Sequence, residues 1–97
     1  MKKHLSILVK GKVQGVYFRR DTQIEANRLG VVGTVANQQD GSVIIAAEAE
    51  EDVLEPFVAW CHEGPEMAEV TDVAVAEREL KGFTEFIVLA DPSDYLG

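Results

Sequence analysis

This 97-residue chain is short of most of the residues that announce a familiar chemistry. It has one cysteine, Cys61, so no internal disulfide framework is available, and a lone thiol fits a reducing compartment. It has two histidines, His4 and His62, far apart and outside any Cys/His cluster, so no metal site is expected. Basic residues are scarce: 9 Lys+Arg stand against 17 Asp+Glu, for a net charge of −8. That balance argues against a broad nucleic-acid-binding face and against an anionic membrane surface. Long apolar runs are missing too. The stretch after Met1-Lys2-Lys3 ends at Lys10, shorter than a secretory leader, and nothing reaches transmembrane length. The expectation is a soluble cytoplasmic protein.

What is present suits one globular domain over residues 1–97. The 46% hydrophobic content suffices for a single modest core. The charge is divided along the chain. Residues 1–30 hold seven basic residues and only Asp21 and Glu25 as acids, a local charge of +5. The remainder holds 15 acids against Arg78 and Lys81. This asymmetry reads either as chance plus a solvated acidic face, or as a local cationic site in the first third.

Hydrophobic periodicity gives the elements. Residues 4–10 alternate Leu5, Ile7 and Val9 with His4, Ser6 and Lys10, which predicts a strand buried mainly on one face. Gly11 to Gly15 reads as a loop. From about Arg20 the period changes: Thr22, Ala26 and Leu29 share a helical face, and Gly30 stands where a C-cap glycine belongs. Val31 to Asn37 and Ser42 to Ala49 read as strands joined across Asp40-Gly41, a strong hairpin signal. Asp52 to His62 reads as a second helix with Leu54, Phe57, Val58 and Cys61 on one face, and Pro56 limits how early it can start. Its acidic approach (Glu48, Glu50, Glu51, Asp52) reads as a solvated helix start rather than a hard-cation site. Val70, Val73 and Val75 mark a fourth strand, Phe83 to Leu89 a short last one, and 91–97 a loose polar tail.

The order is β-α-β-β-α-β plus a short edge strand. It defines an α+β class, a ferredoxin-like sandwich with an antiparallel sheet and both helices on one face. That fold hosts many functions, so function must come from a site.

The chemically informative segment is Gly11-Lys12-Val13-Gln14-Gly15-Val16-Tyr17-Phe18-Arg19-Arg20, between a strand and a helix N-terminus. Glycines there let several backbone N–H groups face one point, and the helix dipole adds partial positive charge. Arg19 offers a planar fork for a phosphate. On these grounds alone the segment is either a phosphate cradle or an ordinary turn. It is neither a nucleotide P-loop nor GxGxxG. A cysteine phosphatase is excluded because His62-Glu63-Gly64-Pro65-Glu66-Met67, after Cys61, contains no arginine. Cys61, Phe18, Phe57 and Trp60 read as core. Arg20, about 100° around the helix from Arg19, reads as solvent-facing.

GKVQGVYFRR, followed by Ala26, Leu29-Gly30, Gly33, Val35, Asn37, Asp40-Gly41-Ser42-Val43, Phe57, Trp60 and Gly64-Pro65, resembles the acylphosphatase family from about Ser6 to Phe86. The resemblance implies an enzyme, without metal or cofactor, that hydrolyses the carboxyl-phosphate bond of small acyl phosphates and releases inorganic phosphate. It implies Arg19 as the phosphate-binding residue and Asn37 as the holder of the attacking water. It implies a phosphate-binding loop of Gly11, Lys12, Val13, Gln14, Gly15, Val16, Tyr17 and Phe18, and a monomer. The chemistry agrees, because an acyl phosphate carries a good leaving group and needs charge neutralisation and a placed water. Asparagine orients water with its donor and acceptor ends but is no base, so the substrate phosphate itself is expected to take the proton.

Thr34, Ala49, Glu69 and Leu89 depart from residues usual in the family, and none is expected to touch Arg19, Asn37 or the loop. The competing reading is a non-catalytic ferredoxin-like module that binds an anion or a partner protein. An RNA-recognition module of the same topology would need stacking aromatics and a basic face, and both are missing.

Overall fold

The computed structural model describes residues 1–91. Seven elements follow in chain order: β1 (Lys2–Lys12), α1 (Phe18–Leu29), β2 (Val32–Asn37), β3 (Val43–Glu50), α2 (Glu51–Glu63), β4 (Glu69–Arg78) and β5 (Phe86–Val88). They form a ferredoxin-like sandwich, and the sheet has the order β4-β1-β3-β2-β5. The first four strands pair antiparallel, whereas β5 lies parallel to β2, so the sheet is mixed. The six residues expected to form most of a loose tail, 92–97, lie outside the described residues.

Alternation along the strands builds the core. Ile7, Val9, Val43, Ile45 and Ala47 are fully buried on the helix-bearing face of the sheet. Thr22 and Ala26 of α1 and Leu54, Phe57 and Cys61 of α2 close over them. Burial of this apolar surface, at roughly 25 cal/mol per Å², is the main stabilising term. Phe18 packs its ring against half-buried Trp60, with centroids 5.6 Å apart. The three aromatics assigned to the core by sequence therefore all pack there.

Several element boundaries differ from expectation, β5 among them, which spans only Phe86–Val88 of the expected Phe83 to Leu89. β1 does not stop at Lys10: it continues through Gly11 and Lys12 across a bulge, paired with Val70 and Glu69 of β4. Gly11 adopts φ 127, and a Cβ there would lie 2.0 Å from the Glu69 carbonyl oxygen. Close approach of β4, not loop flexibility, is what requires glycine. α2 starts at Glu51, one residue before the expected Asp52. Pro56 lies inside the helix and does not limit its start. It removes the donor for the carbonyl of Asp52, which is exposed and available to water.

The acidic cluster before α2 is corrected at one position. Glu48 is not solvated but fully buried. It points from β3 to the helix-free face, next to His4 of β1, its register partner. The 79–85 connection crosses that face to carry the chain from β4 at one edge to β5 at the other. Glu48 accepts backbone N–H bonds from Lys81 (2.6 Å), Gly82 (3.1 Å) and Phe83 (3.2 Å). This carboxylate pins the crossing and so sets where β5 begins.

Candidate active site

The β1–α1 turn is held down at two points. Val13 and Val16 are buried, which leaves the backbone between them at the surface. Gly15 takes φ 74 with open space around it. Tyr17 takes φ 65, the sole non-glycine residue in the left-handed region among the described residues. Left-handed residues turn adjacent N–H groups toward a common concavity, the geometry of an anion nest. The amide of Asp21 closes the first helical turn onto the Tyr17 carbonyl (3.0 Å), so α1 starts at Phe18, two residues before the expected Arg20. Arg19 thereby falls in the first turn, where the dipole favours an anion.

Gln14 fixes the turn from the other side. Its Nε2 donates to the Gln38 carbonyl (2.8 Å) and the Ser42 carbonyl (2.9 Å). Both acceptors lie in the β2–β3 hairpin, which Ser42 tightens by donating from N and Oγ to Asp40 Oδ1. The loop and the end of β2 are thus tied into one unit, and Asn37 is the last residue of β2.

Between them is a cavity of about 530 Å³ walled by Arg19, Asn37, Tyr17, Gly15, Val13 and Phe18, with Arg20, Gln23 and Val88 completing it. That volume accommodates a phosphoryl group with a small acyl substituent. Contrary to expectation, two of the departing residues do touch the site segment. Arg19 NH1 donates to the Leu89 carbonyl (3.0 Å), which anchors the guanidinium against the exit of β5, and Glu69 pairs with Lys12. Both contacts run through backbone, so they do not depend on which side chain stands there. Asn37 Nδ2 donates to Asp91 Oδ2 (3.0 Å). Its Oδ1 is buried and has no partner among the described residues.

Of the residues expected in the site, Val13, Gly15, Tyr17, Phe18, Arg19 and Asn37 share this cavity wall. Gly11 and Lys12 do not: strand pairing with β4 holds them outside it. Gln14 and Val16 support the turn from beneath rather than face the cavity. Arg20 reaches the cavity rim as well as solvent, because its guanidinium stacks over the Tyr17 ring at 4.4 Å and its Nε bonds Asp21 Oδ1 (3.0 Å). Gln23, unnoticed in the sequence, lines the cavity and donates to the Phe86 carbonyl (2.9 Å). The i+4 spacing from Arg19 was the available signal. Asp91 had none, being 54 residues from Asn37.

Burial, with the nearby Glu25 charge, pushes the Cys61 thiol up to about 12, so it stays a core thiol. Among the described residues no group of three or more His, Cys, Asp or Glu is placed to hold a metal ion.

The fold and cavity thus define a ferredoxin-like domain with an arginine-bearing pocket beside a strand-end asparagine. Comparison with known proteins carries this further. Residues 5–88 match the acylphosphatase family model. A curated acylphosphatase of Methylococcus capsulatus is 42% identical over 90 residues, covering 92% of this chain and 98% of that protein. One of Marinobacter nauticus is 49% identical over 81 residues, covering 82% and 88%. The crystal structure of acylphosphatase from Bacillus subtilis superposes with a TM-score of 0.88 at 40% identity, covering 93% of this chain and all of that one. The chain belongs to the acylphosphatase family and hydrolyses acyl phosphates.

Proposed function

We propose that the cavity between the β1–α1 turn and the end of β2 is the active site, with Arg19 and Asn37 as its catalytic residues. The observation that carries this reading is their convergence. One comes from the first turn of a helix, the other from the end of a strand 18 residues later, and both wall the same cavity.

In this reading Arg19 and the amides of residues 13–18 hold the phosphoryl oxygens of a small acyl phosphate. They neutralise charge on the equatorial oxygens as the transition state forms. A water held by Asn37 attacks phosphorus in line with the carboxylate leaving group. The new P–O bond forms as the bond to the acyl oxygen breaks. The water's proton passes to a phosphoryl oxygen, and a carboxylate and inorganic phosphate leave. No side chain need act as acid or base, and no cofactor is required. The enzyme is read as a cytoplasmic monomer that engages neither nucleic acid nor membrane. Its acidity and its single buried thiol support that reading.

The test is hydrolysis of acetyl and benzoyl phosphate by the purified chain in EDTA. Turnover persists in the chelator and is inhibited competitively by phosphate. Arg19→Ala and Asn37→Ala each lower kcat/KM by about 100-fold or more. Wild-type turnover in either variant overturns its assigned role.

A further inference from the structure

We propose that Asp91 is a positioning residue for the hydrolysis, acting through Asn37. This rests on the reading of Asn37 as the holder of the attacking water.

A side-chain amide has two unlike ends, and which one faces the cavity decides how a water can bind. A hydrogen-bond network is what distinguishes the two orientations. Asn37 has such a network. Its Nδ2 lies 3.0 Å from Asp91 Oδ2, and an ionised carboxylate only accepts, so the NH₂ end is the one bound there. The opposite end, Oδ1, is then turned away from Asp91. It is buried and lacks a protein donor among the described residues. A buried carbonyl oxygen without a donor costs free energy until one arrives. A water in the cavity supplies it.

The direction of that bond matters. A water that donates a hydrogen to Oδ1 keeps its lone pairs free for phosphorus. A water that accepted from Nδ2 would spend a lone pair on the amide. Asp91 thus selects the productive orientation. The short segment that carries it also serves Arg19, because Leu89, two residues earlier, offers the carbonyl that anchors the guanidinium. The exit of β5 therefore holds both catalytic side chains, one by backbone and one by carboxylate.

The experiment compares wild type, Asp91→Ala and Asp91→Asn in the full chain. KM and kcat for acetyl phosphate and the phosphate inhibition constant are measured, with thermal unfolding as a check on folding. In Asp91→Ala, kcat falls about 10-fold, while KM and phosphate inhibition stay within about twofold, the pattern of an interaction used only in the transition state. Asp91→Asn recovers at least about a third of the wild-type kcat, since its amide oxygen still accepts from Nδ2. In an Asn37→Ala background, adding Asp91→Ala lowers the residual rate by less than about twofold. Wild-type kcat in Asp91→Ala overturns the proposal. So does a loss carried by KM, or one that persists in full without Asn37. If Asn37→Ala itself turns over at the wild-type rate, the role of Asn37 fails, and the proposal fails with it. If Asn37→Ala is inactive and Asp91→Ala is not, only the proposal about Asp91 fails.

Discussion

The Nδ1–H of His4 donates to Glu48 Oε2 at 2.7 Å, joining β1 to β3 beneath the 79–85 crossing. With the three backbone amides it completes a four-donor cage around one buried carboxylate. Burial works to raise the Glu48 pKa, but the Lys81 amide, His4 and the Phe83 and Gly82 amides outweigh it and hold the group at about 2. Its folded value lies below its unfolded one. The stabilisation is therefore present in full above the ordinary carboxylate range and is lost as pH falls through about 4.5 toward 2. Replacing Glu48 by Gln puts an NH₂ group among donors, and about 3 kcal/mol of stability is expected to go. Urea unfolding at pH 7 and pH 3 checks both statements. The variant should be less stable at pH 7 and less sensitive to acid. An unchanged midpoint would remove Glu48 from the fold's supports.

Gln14 lends itself to a similar replacement with a different readout. Both hydrogens of its amide are spent on hairpin carbonyls. Gln14→Glu keeps the shape, removes both donors and sets a negative charge against two carbonyl oxygens. The turn should loosen from the hairpin, with a loss of about 2 kcal/mol. The cavity wall moves with it, so KM for acetyl phosphate should rise several-fold. If KM and the unfolding midpoint are both unaltered, the tie does not shape the site.

These two side chains mark where sequence reading succeeds and where it stops. That a loop precedes a helix at Arg19 and that Asn37 ends a strand before a hairpin was legible from local signals: paired glycines, a change of hydrophobic period, a hairpin after a strand. The roles proposed for these residues came from the family resemblance and not from those signals. Elements and core followed for the same reason. Glu48 reads as solvated because it stands in an acidic run before a helix, and such a run is ordinarily wet. Only a connection from residues 79–85, more than 30 positions later, buries it. Gly11 was read as loop because a glycine in sequence does not reveal whether it serves a turn or a close neighbour. The parallel pairing of β5 and the reach of Asp91 to Asn37 are likewise products of where the chain arrives after crossing the sheet.

Gly11 makes a sharper prediction than its loop assignment allowed. A methyl group there meets backbone on two sides, the Glu69 oxygen at 2.0 Å and the Thr71 nitrogen at 2.8 Å. Backbone in a paired sheet has nowhere to move. Gly11→Ala should cost about 3 kcal/mol or more, from steric conflict added to φ strain. Gly15→Ala, at φ 74 in open space, should cost only about 1–2 kcal/mol, the left-handed penalty alone. Denaturant midpoints of the two variants measured side by side decide this, and equal losses would refute the distinction.

In the proposed mechanism Arg19 divides its guanidinium between two duties, and that division predicts what lysine cannot do. NH1 is committed to the Leu89 carbonyl at 3.0 Å, which fixes the plane of the fork. In the proposed mechanism other donors of the fork face the phosphoryl oxygens. Lysine carries a similar charge but a single nitrogen, without a planar fork. An ammonium group that stays with Leu89 leaves the phosphate, and one that reaches the phosphate loses its anchor. Arg19→Lys should therefore reduce kcat/KM for acetyl phosphate by about 100-fold and weaken inhibition by phosphate about tenfold. If charge alone sufficed, the lysine enzyme would retain a third or more of wild-type activity and bind phosphate as well as before. That result would assign Arg19 a purely electrostatic part and remove the geometric one.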